Sequence, residues 1–495
     1  MLQRAGGVTE AGYVRGAQFF RAQGNLGRVG NPFTITAVLP RPTNPLARVA
    51  ALVLTLVVVP AALAAQGVPR VGGRSEIFAG GELENYLRLL QMTGAVPLYP
   101  WSVRAFSPGE VDRLVPRDSA HPWVGRYDLA PRTSPGLSVD LVRPRVALIE
   151  NTAFPFGAND GPVWAGRGLT TVVQAGVAIR YGPLSATFAP IVFRAENAAF
   201  DLIPNGQSGN LVYADGMRPG TIDLPQRFGD APYTAANLGQ STLRLDVGAL
   251  AVGVSTANQV WGPADRSPLI LGNNAAGFPH VFVGTAHPMD LWIARIHGRI
   301  VYGDLRQSAY SSVSGPGSRR FGAGYVAVVE PRGARGLELG LTRFFHRSWP
   351  EGGPGWKEFL WPLQSILKAD PNDPRFENPD NQLISVFARW VLPKSGLELY
   401  GEFARDDNAR DLRDLLLEFD HDVGYTLRLR KIVRSSPARL VVVRAEVMNT
   451  RVTNLQRGGR GEAPFYVHTE AGQGHTQYGQ ILGAPDGYGG ASSFL

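Results

Sequence analysis

The sequence predicts an all-β transmembrane barrel, a large antiparallel sheet of about 14–16 strands of 9 to 11 residues, preceded by a small N-terminal helical module. Three observations carry that expectation. Apolar and charged residues alternate with a period of two in segment after segment, which sends them to opposite faces of strands. The 495 residues are 44% hydrophobic yet hold 59 Gly and 38 Pro, too much punctuation for a helical protein. After the N-terminal region no apolar run approaches about 18 residues, so the chain either stays soluble in the periplasm or crosses a membrane as a barrel.

Residues 49 to 59, VAALVLTLVVV, follow Arg41 and Arg48 and precede Pro60 and the small-residue string AALAA. That is the layout of a secretory signal with cleavage near Ala64 or Ala65. The expected organisation is a mis-assigned or unstructured extension over 1–46, the signal peptide over 47–65, a periplasmic helical module over 66–135 and the barrel over 136–495. Cleavage after Ala65 would remove six Arg and one Glu, leaving 43 basic and 40 acidic residues, so net charge would fall from +8 to +3 and any cationic function must be local. The absence of Cys excludes disulfides and thiolate metal sites and suits passage through an oxidising compartment. Arg outnumbers Lys 45 to 4, so the default cation is a planar fork suited to carboxylates and phosphates.

In the helical module, Leu83, Leu87 and Leu90 recur at spacings of four and three and Gly94 is a stop signal. Ser107-Pro108-Gly109-Glu110 announces a second helix: a cap, Pro at the first helical position, and an acid placed to close a capping box. A module this small buries little core alone and must dock on something larger.

From about Gly136 the two-residue period takes over. In LWIARIHGRIVYG, residues 291–303, Trp292, Ala294, Ile296, Ile300 and Tyr302 share one parity while Arg295, His297 and Arg299 share the other. Leu243, Leu245 and Val247 alternate with Arg244 and Asp246; Val386, Ala388 and Trp390 with Ser385 and Arg389; Tyr425, Leu427 and Leu429 with Arg428 and Arg430; Val443, Ala445 and Val447 with Arg444 and Glu446. Apolar faces that end in aromatics, opposite faces charged in both signs, fit a lipid-facing girdle and an ion-lined interior better than a soluble sandwich. Residues 349–381 are far longer than a hairpin turn and contain Trp356, Phe359, Leu360, Leu363 and Ile366 at the spacing of a short amphipathic helix, whereas Lys394-Ser395-Gly396 is tight. Long loops on one side and short turns on the other are expected of a barrel.

Catalytic signals are weak. Asp420-His421-Asp422 could orient a base or hold a metal, but no nucleophile or second ligand cluster stands at a recognisable spacing. Asp370, Asp373, Glu377 and Asp380 lack the spacing of a known calcium loop. Gly322-Ala-Gly324 opens a strand and is no dinucleotide cradle, and no Gly-x-Ser-x-Gly elbow occurs. No cofactor, metal, nucleic-acid partner or enzymatic activity is therefore expected.

Several short segments in chain order resemble the Wzi-like capsule assembly family: Pro100-Trp101-Ser102, Trp164-Ala-Gly-Arg167-Gly168, Ile222-Asp223-Leu224-Pro225-Gln226-Arg227-Phe228-Gly229, Asn258-Gln-Val-Trp261-Gly262-Pro263, Gly277-Phe278-Pro279-His280, Leu399-Tyr400-Gly401-Glu402-Phe403 and Phe465-Tyr466-Val467-His468. The resemblance implies a monomeric outer-membrane barrel of about eighteen strands with a periplasmic helical bundle, acting in attachment of capsular polysaccharide. The Gly-rich ending GAPDGYGGASSFL departs from the amphipathic closing strand such a barrel needs, and leads us to expect a C-terminally truncated chain. Expected partners are capsular or exopolysaccharide, outer-membrane lipid and the barrel-assembly machinery. The candidate polysaccharide-binding residues are Arg295, His297, Arg299, Arg428, Arg430, Arg444, Trp261 and Arg266, either holding an acidic glycan by charge-assisted bonds and sugar stacking or pairing with inward acids as structural filling. A porin for sugars or anions, and less so a barrel hydrolase, are the alternatives.

Overall fold

The computed structural model describes residues 19–25, 70–71, 78–114, 136–312, 318–363, 380–406, 422–436, 439–451, 464–468, 473–488 and 492–494. Most of the strands form one sheet, overwhelmingly antiparallel. It opens with β1 (Ser138–Asn151) and β2 (Gly168–Tyr181). Next come β3 (Leu184–Phe188) and β4 (Ile191–Ala195), which lie end to end along β2. Between them stands Pro190, which has no N–H to give the ladder. The following line is also broken, into β5 (Tyr233–Asn237) beside β4 and β6 (Thr242–Val247) beside β3. Then β7 (Leu250–Ser255) and β8 (His280–Thr285) lead to β9 (Ala294–Arg306), β10 (Arg319–Pro331), β11 (Leu337–Ser348), β12 (Asn381–Leu392), β13 (Leu397–Asp406), β14 (Val423–Ser436) and β15 (Arg439–Asn449), each paired to the next.

Phe19–Asn25 runs antiparallel and Arg70–Val71 parallel along β1, and Ser492–Phe494 lies along β15. The remaining residues of 1–46, and all of 47–65, fall outside the described residues. Among the described residues the sheet counts 19 strands against the expected about 14–16, because two crossings are split, Met289–Asp290 adds a short piece beside β9 and other short pieces add to the edges.

The alternation is realised as expected. Leu243, Leu245, Val247, Val386, Trp390, Leu427, Leu429 and Val443 are all exposed on the outer wall, while Arg244, Arg389, Arg428 and Arg430 are buried on the inner one. An exposed wall of Val and Leu is tolerable only against lipid. Aromatics border it at both ends: Tyr181, Trp292 and Trp390 near the short turns, Phe403 and Tyr425 near the long connections. Among the described residues no helix is long and apolar enough to cross a membrane. The strands do the crossing.

The helices settle the two ends of the barrel. Helix α1 (Glu82–Thr93) stops at Gly94, which adopts φ 75°, a conformation costly for any side chain, and sends its N–H to Gln91 and Leu90. Helix α2 (Pro108–Leu114) carries the capping box: the Ser107 N–H reaches Glu110 Oε2 at 2.9 Å and the Glu110 N–H reaches Ser107 Oγ at 3.3 Å. Their shared core of Tyr86, Leu87, Leu90, Trp101, Phe106, Val111 and Leu114 is fully closed. α1 rests against the 393–396 turn, so the module caps the end that carries the tight links 182–183, 248–249 and 332–336. The long connections 152–167, 196–232 and 256–279 and the described stretches 307–312 and 349–363 belong to the other end.

Candidate functional site

The lumen is filled. The connection 256–279 folds back between the walls and forms an isolated bridge, Trp261 with Val103, against the module. Its Gly262 N–H reaches Ser102 O at 2.9 Å, and Arg104 Nη1 reaches Ala264 O at 2.6 Å. Residues 464–468 and 473–488 pack on the same loop: Tyr466 donates to Leu269 O at 2.7 Å, and His475 Nε2 lies 2.6 Å from Ile270 O. Trp261, Leu269, Phe278, Val301, Leu305, Phe344, Phe387, Tyr466 and Leu482 form one buried cluster across the interior.

At the module end the filling is ionic. Arg88 of α1 reaches Glu398 of β13 at 3.1 Å and Asp265 of the inward loop at 3.3 Å. Arg389 pairs with Glu398 at 2.7 Å and with Glu338, whose other oxygen accepts the Trp101 N–H at 3.0 Å and the Ser102 hydroxyl at 2.8 Å. Glu446 of β15 accepts the successive N–H groups of Asp265, Arg266 and Ser267 at 2.8 to 2.9 Å. Four strands, the module and the inward loop are thereby tied through a few buried carboxylates.

The candidate binding residues divide against this background. Arg428 pairs with Asp265 at 2.6 Å and with Glu398, and Arg430 reaches Asp265 at 3.0 Å and Asn85 of α1 at 3.3 Å. His297 Nε2 lies 3.4 Å from Glu110 Oε1, with Thr285 on its other nitrogen at 2.5 Å. Arg299 donates to Gln259 at 3.3 Å and stands over the Phe282 ring at 4.9 Å. Arg295, about one-third exposed, pairs with Glu330 at 3.0 Å. Arg444 keeps the inward parity opposite Arg430 but is exposed. Trp261 corrects an expectation: it is wholly buried, edge-on to Phe344, and offers no face to a sugar. Arg266 is half-buried, held by its backbone to Glu446 and Asn159. His421 and the carboxylates Asp370, Asp373 and Glu377 lie outside the described residues.

Electrostatics explains why the module end holds. Burial works to raise the Glu110 carboxyl, but the hydrogen bond from His297 and the Arg244 charge outweigh it and bring it down to about 2. Glu84 is likewise lowered against its burial by Arg104, which grips both oxygens at 2.6 and 2.8 Å. Burial pulls the Arg88 guanidinium down to about 10, with Glu398 opposing that fall.

Sequence reasoning missed the long-loop end. There Tyr213 and Tyr310 meet edge to face at 5.6 Å, both partly exposed. Tyr213 donates to Asp230, which also takes Arg227 at 2.9 Å, and Tyr488 donates to Asp215 at 2.9 Å. Arg227 had been noted only as part of a segment resemblance. Nothing periodic marks the tyrosines, because they come from connections and not from strands.

The sequence profile described as "Capsule assembly protein Wzi" matches residues 166–494. Among solved structures, Wzi of Escherichia coli, described as an outer membrane protein involved in group 1 capsule assembly and a carbohydrate-binding β-barrel, superposes with a TM-score of 0.53 at 16% identity, over 85% of this chain and 82% of that one. OpdK of Pseudomonas aeruginosa, solved with vanillate, gives a TM-score of 0.30 at 10% identity over 65% and 84%. No curated protein sequence matches the chain. The filled barrel with its lipid-facing wall and docked helical module is thus an outer-membrane barrel, and the chain belongs to the Wzi capsule assembly family.

Proposed function

We propose that this protein binds and anchors surface polysaccharide, capsular or exopolysaccharide, at its long-loop end. The observation that carries the reading is that Arg389, Arg428 and Arg430 of the inner wall are engaged by the chain's own carboxylates, while the loop end presents Tyr213 and Tyr310 beside Asp230 and Arg227. Sugar rings stack on aromatic faces, and carboxylates and guanidinia bond their hydroxyls and acids. Barrels of this kind turn their long loops outward and their short turns to the periplasm, which would place these tyrosines at the cell surface and the module beneath.

The buried cluster that crosses the interior supports a binder over the porin alternative. Binding of purified capsular polysaccharide to the protein in detergent should weaken by about 1–2 kcal/mol for Tyr213→Ala with Tyr310→Ala. Arg295→Gln with Arg299→Gln should leave it unchanged. The reverse outcome would return the site to the lumen. Steady open conductance of the wild type in a planar bilayer would favour the channel.

A further inference from the structure

Residues 349–363, which follow β11, fold onto the outside of the barrel. Phe344 and Phe345 are successive residues and therefore point to opposite faces: Phe344 meets Trp261 and His475 in the lumen, and Phe345 meets Trp361 on the outer wall. Trp361 stacks on Phe345 at 5.6 Å and on Phe321 at 5.9 Å, both on the outward parity, and Arg347 covers it at 4.4 Å. One turn earlier, helix α3 (Trp356–Leu360) lies over Tyr302, also outward, whose hydroxyl donates to Phe359 O at 2.8 Å. Arg347 pairs with Glu358 at 2.6 Å and fixes the helix from beneath. The sequence expectation of a short amphipathic helix is met over Trp356–Leu360, continued by a tight turn over Trp361–Leu363; Ile366 lies outside the described residues.

Most of the side chains this flap exposes are apolar, Lys357 being the charged exception. Trp356 is 85%, Leu360 63% and Leu363 73% exposed. Below it, on the same outward parity, Ile300, Tyr325 and Leu341 lead into the wall of exposed Val and Leu; Arg343, between Phe345 and Leu341, is buried against the Phe345 ring and donates to Gln382 at 2.7 Å. Beside it at the strand tops, Asp304 takes Arg306 at 3.0 Å and Arg319 at 3.2 Å, an ionic cluster that marks the level of water.

We propose that the flap Trp356–Leu363 is seated in the outer leaflet where acyl chains meet headgroups, with Trp356, Leu360 and Leu363 as its lipid contacts. Continuity with the lipid-facing wall selects this occupant. An amphipathic segment with Trp and Leu on its free side partitions to that depth, and Trp favours the interface. A sugar platform would need polar groups converging around the indole, whereas Lys357 is the one charged side chain among those the flap exposes, and its long stem lets the ammonium reach the headgroups. The inference rests on the barrel alone and is independent of the glycan reading.

The test uses the full chain in vesicles whose acyl chains carry bromine near the headgroup, near the bilayer centre, or nowhere. The emission of wild type minus that of Trp356→Phe isolates Trp356. Shallow bromine should quench this difference at least about twofold more than deep bromine, and aqueous iodide should have little effect. Leu360→Asp with Leu363→Asp, at exposed positions, should keep the barrel and restore iodide quenching. A Trp356 signal blind to bromine and quenched by iodide overturns the proposal. So does shielding that appears only with added polysaccharide, which assigns the flap to glycan, or only at high protein concentration in detergent, which assigns it to a second copy.

Discussion

The two ends of the lumen are filled by different chemistry although the same strands line both. At the module end Glu398, Glu338, Asp265 and Glu446 hold Arg88, Arg389, Arg428 and a row of backbone N–H groups. At the long-loop end His346 and Tyr466 each stack on His475, which meets Phe344 edge to face, and polar atoms reach backbone carbonyls. Charged inward parity therefore says that a wall is wet or ion-paired, and does not say which. Where a second element arrives with carboxylates of its own, the cations become structural.

Four perturbations separate the two ends and the wall that encloses them. The largest effect is expected from Glu398→Ala, which strips a partner from Arg88, Arg389 and Arg428 together. Taking one of its two carboxylates from each of three buried guanidinia should cost about 3–5 kcal/mol, seen as a lower denaturant midpoint and faster proteolysis within 82–114. If stability is unchanged, water reaches this end and the contrast fails. Next, Ile300→Arg on the outer wall should cost about 2–4 kcal/mol near the midplane, read as loss of membrane-inserted protein.

Acid should then act on the module end. Glu110 is depressed from 4.5 to about 2, so its contribution is complete above pH 4.5 and lost as pH falls through about 2. That is about 3 kcal/mol of linkage, and Glu110→Gln should remove this part of the acid dependence of the unfolding free energy. The smallest effect belongs to the loop end. Tyr466→Phe deletes a hydroxyl that donates to Leu269 O and accepts from the Ala484 N–H at 2.9 Å, and should cost about 1–2 kcal/mol by chemical denaturation at any pH between 5 and 8.

How much of this was legible in the sequence depends on the range of the interaction. Gly94 as a helix stop, the Ser107–Glu110 box and the parity of Leu427 against Arg428 are local, and each was readable. Pro190 could have announced the break between β3 and β4. The partners of Arg428 were not readable: Asp265 lies more than 160 residues away, on a connection with no strand period to betray that it turns inward. Trp261 looked available for sugar because an aromatic between Val260 and Gly262-Pro263 reads as a loop residue. In the structure that loop is core. The tyrosines of the long-loop end escaped for the opposite reason, being scattered over connections that share no register.

The double duty of Glu110 bears on the order of assembly. This carboxylate closes the first turn of α2, and it also faces Tyr99, Arg244 and His297. The turn can form as soon as the segment exists, since its partner is three residues away. The wall contacts need strands more than 130 residues downstream, and Arg88 waits for Glu398, 310 residues on. Closing such long stretches of chain is slow. The module, although first in sequence, is thus positioned to dock last, and its seating reports that β6, β9 and β13 are already in place.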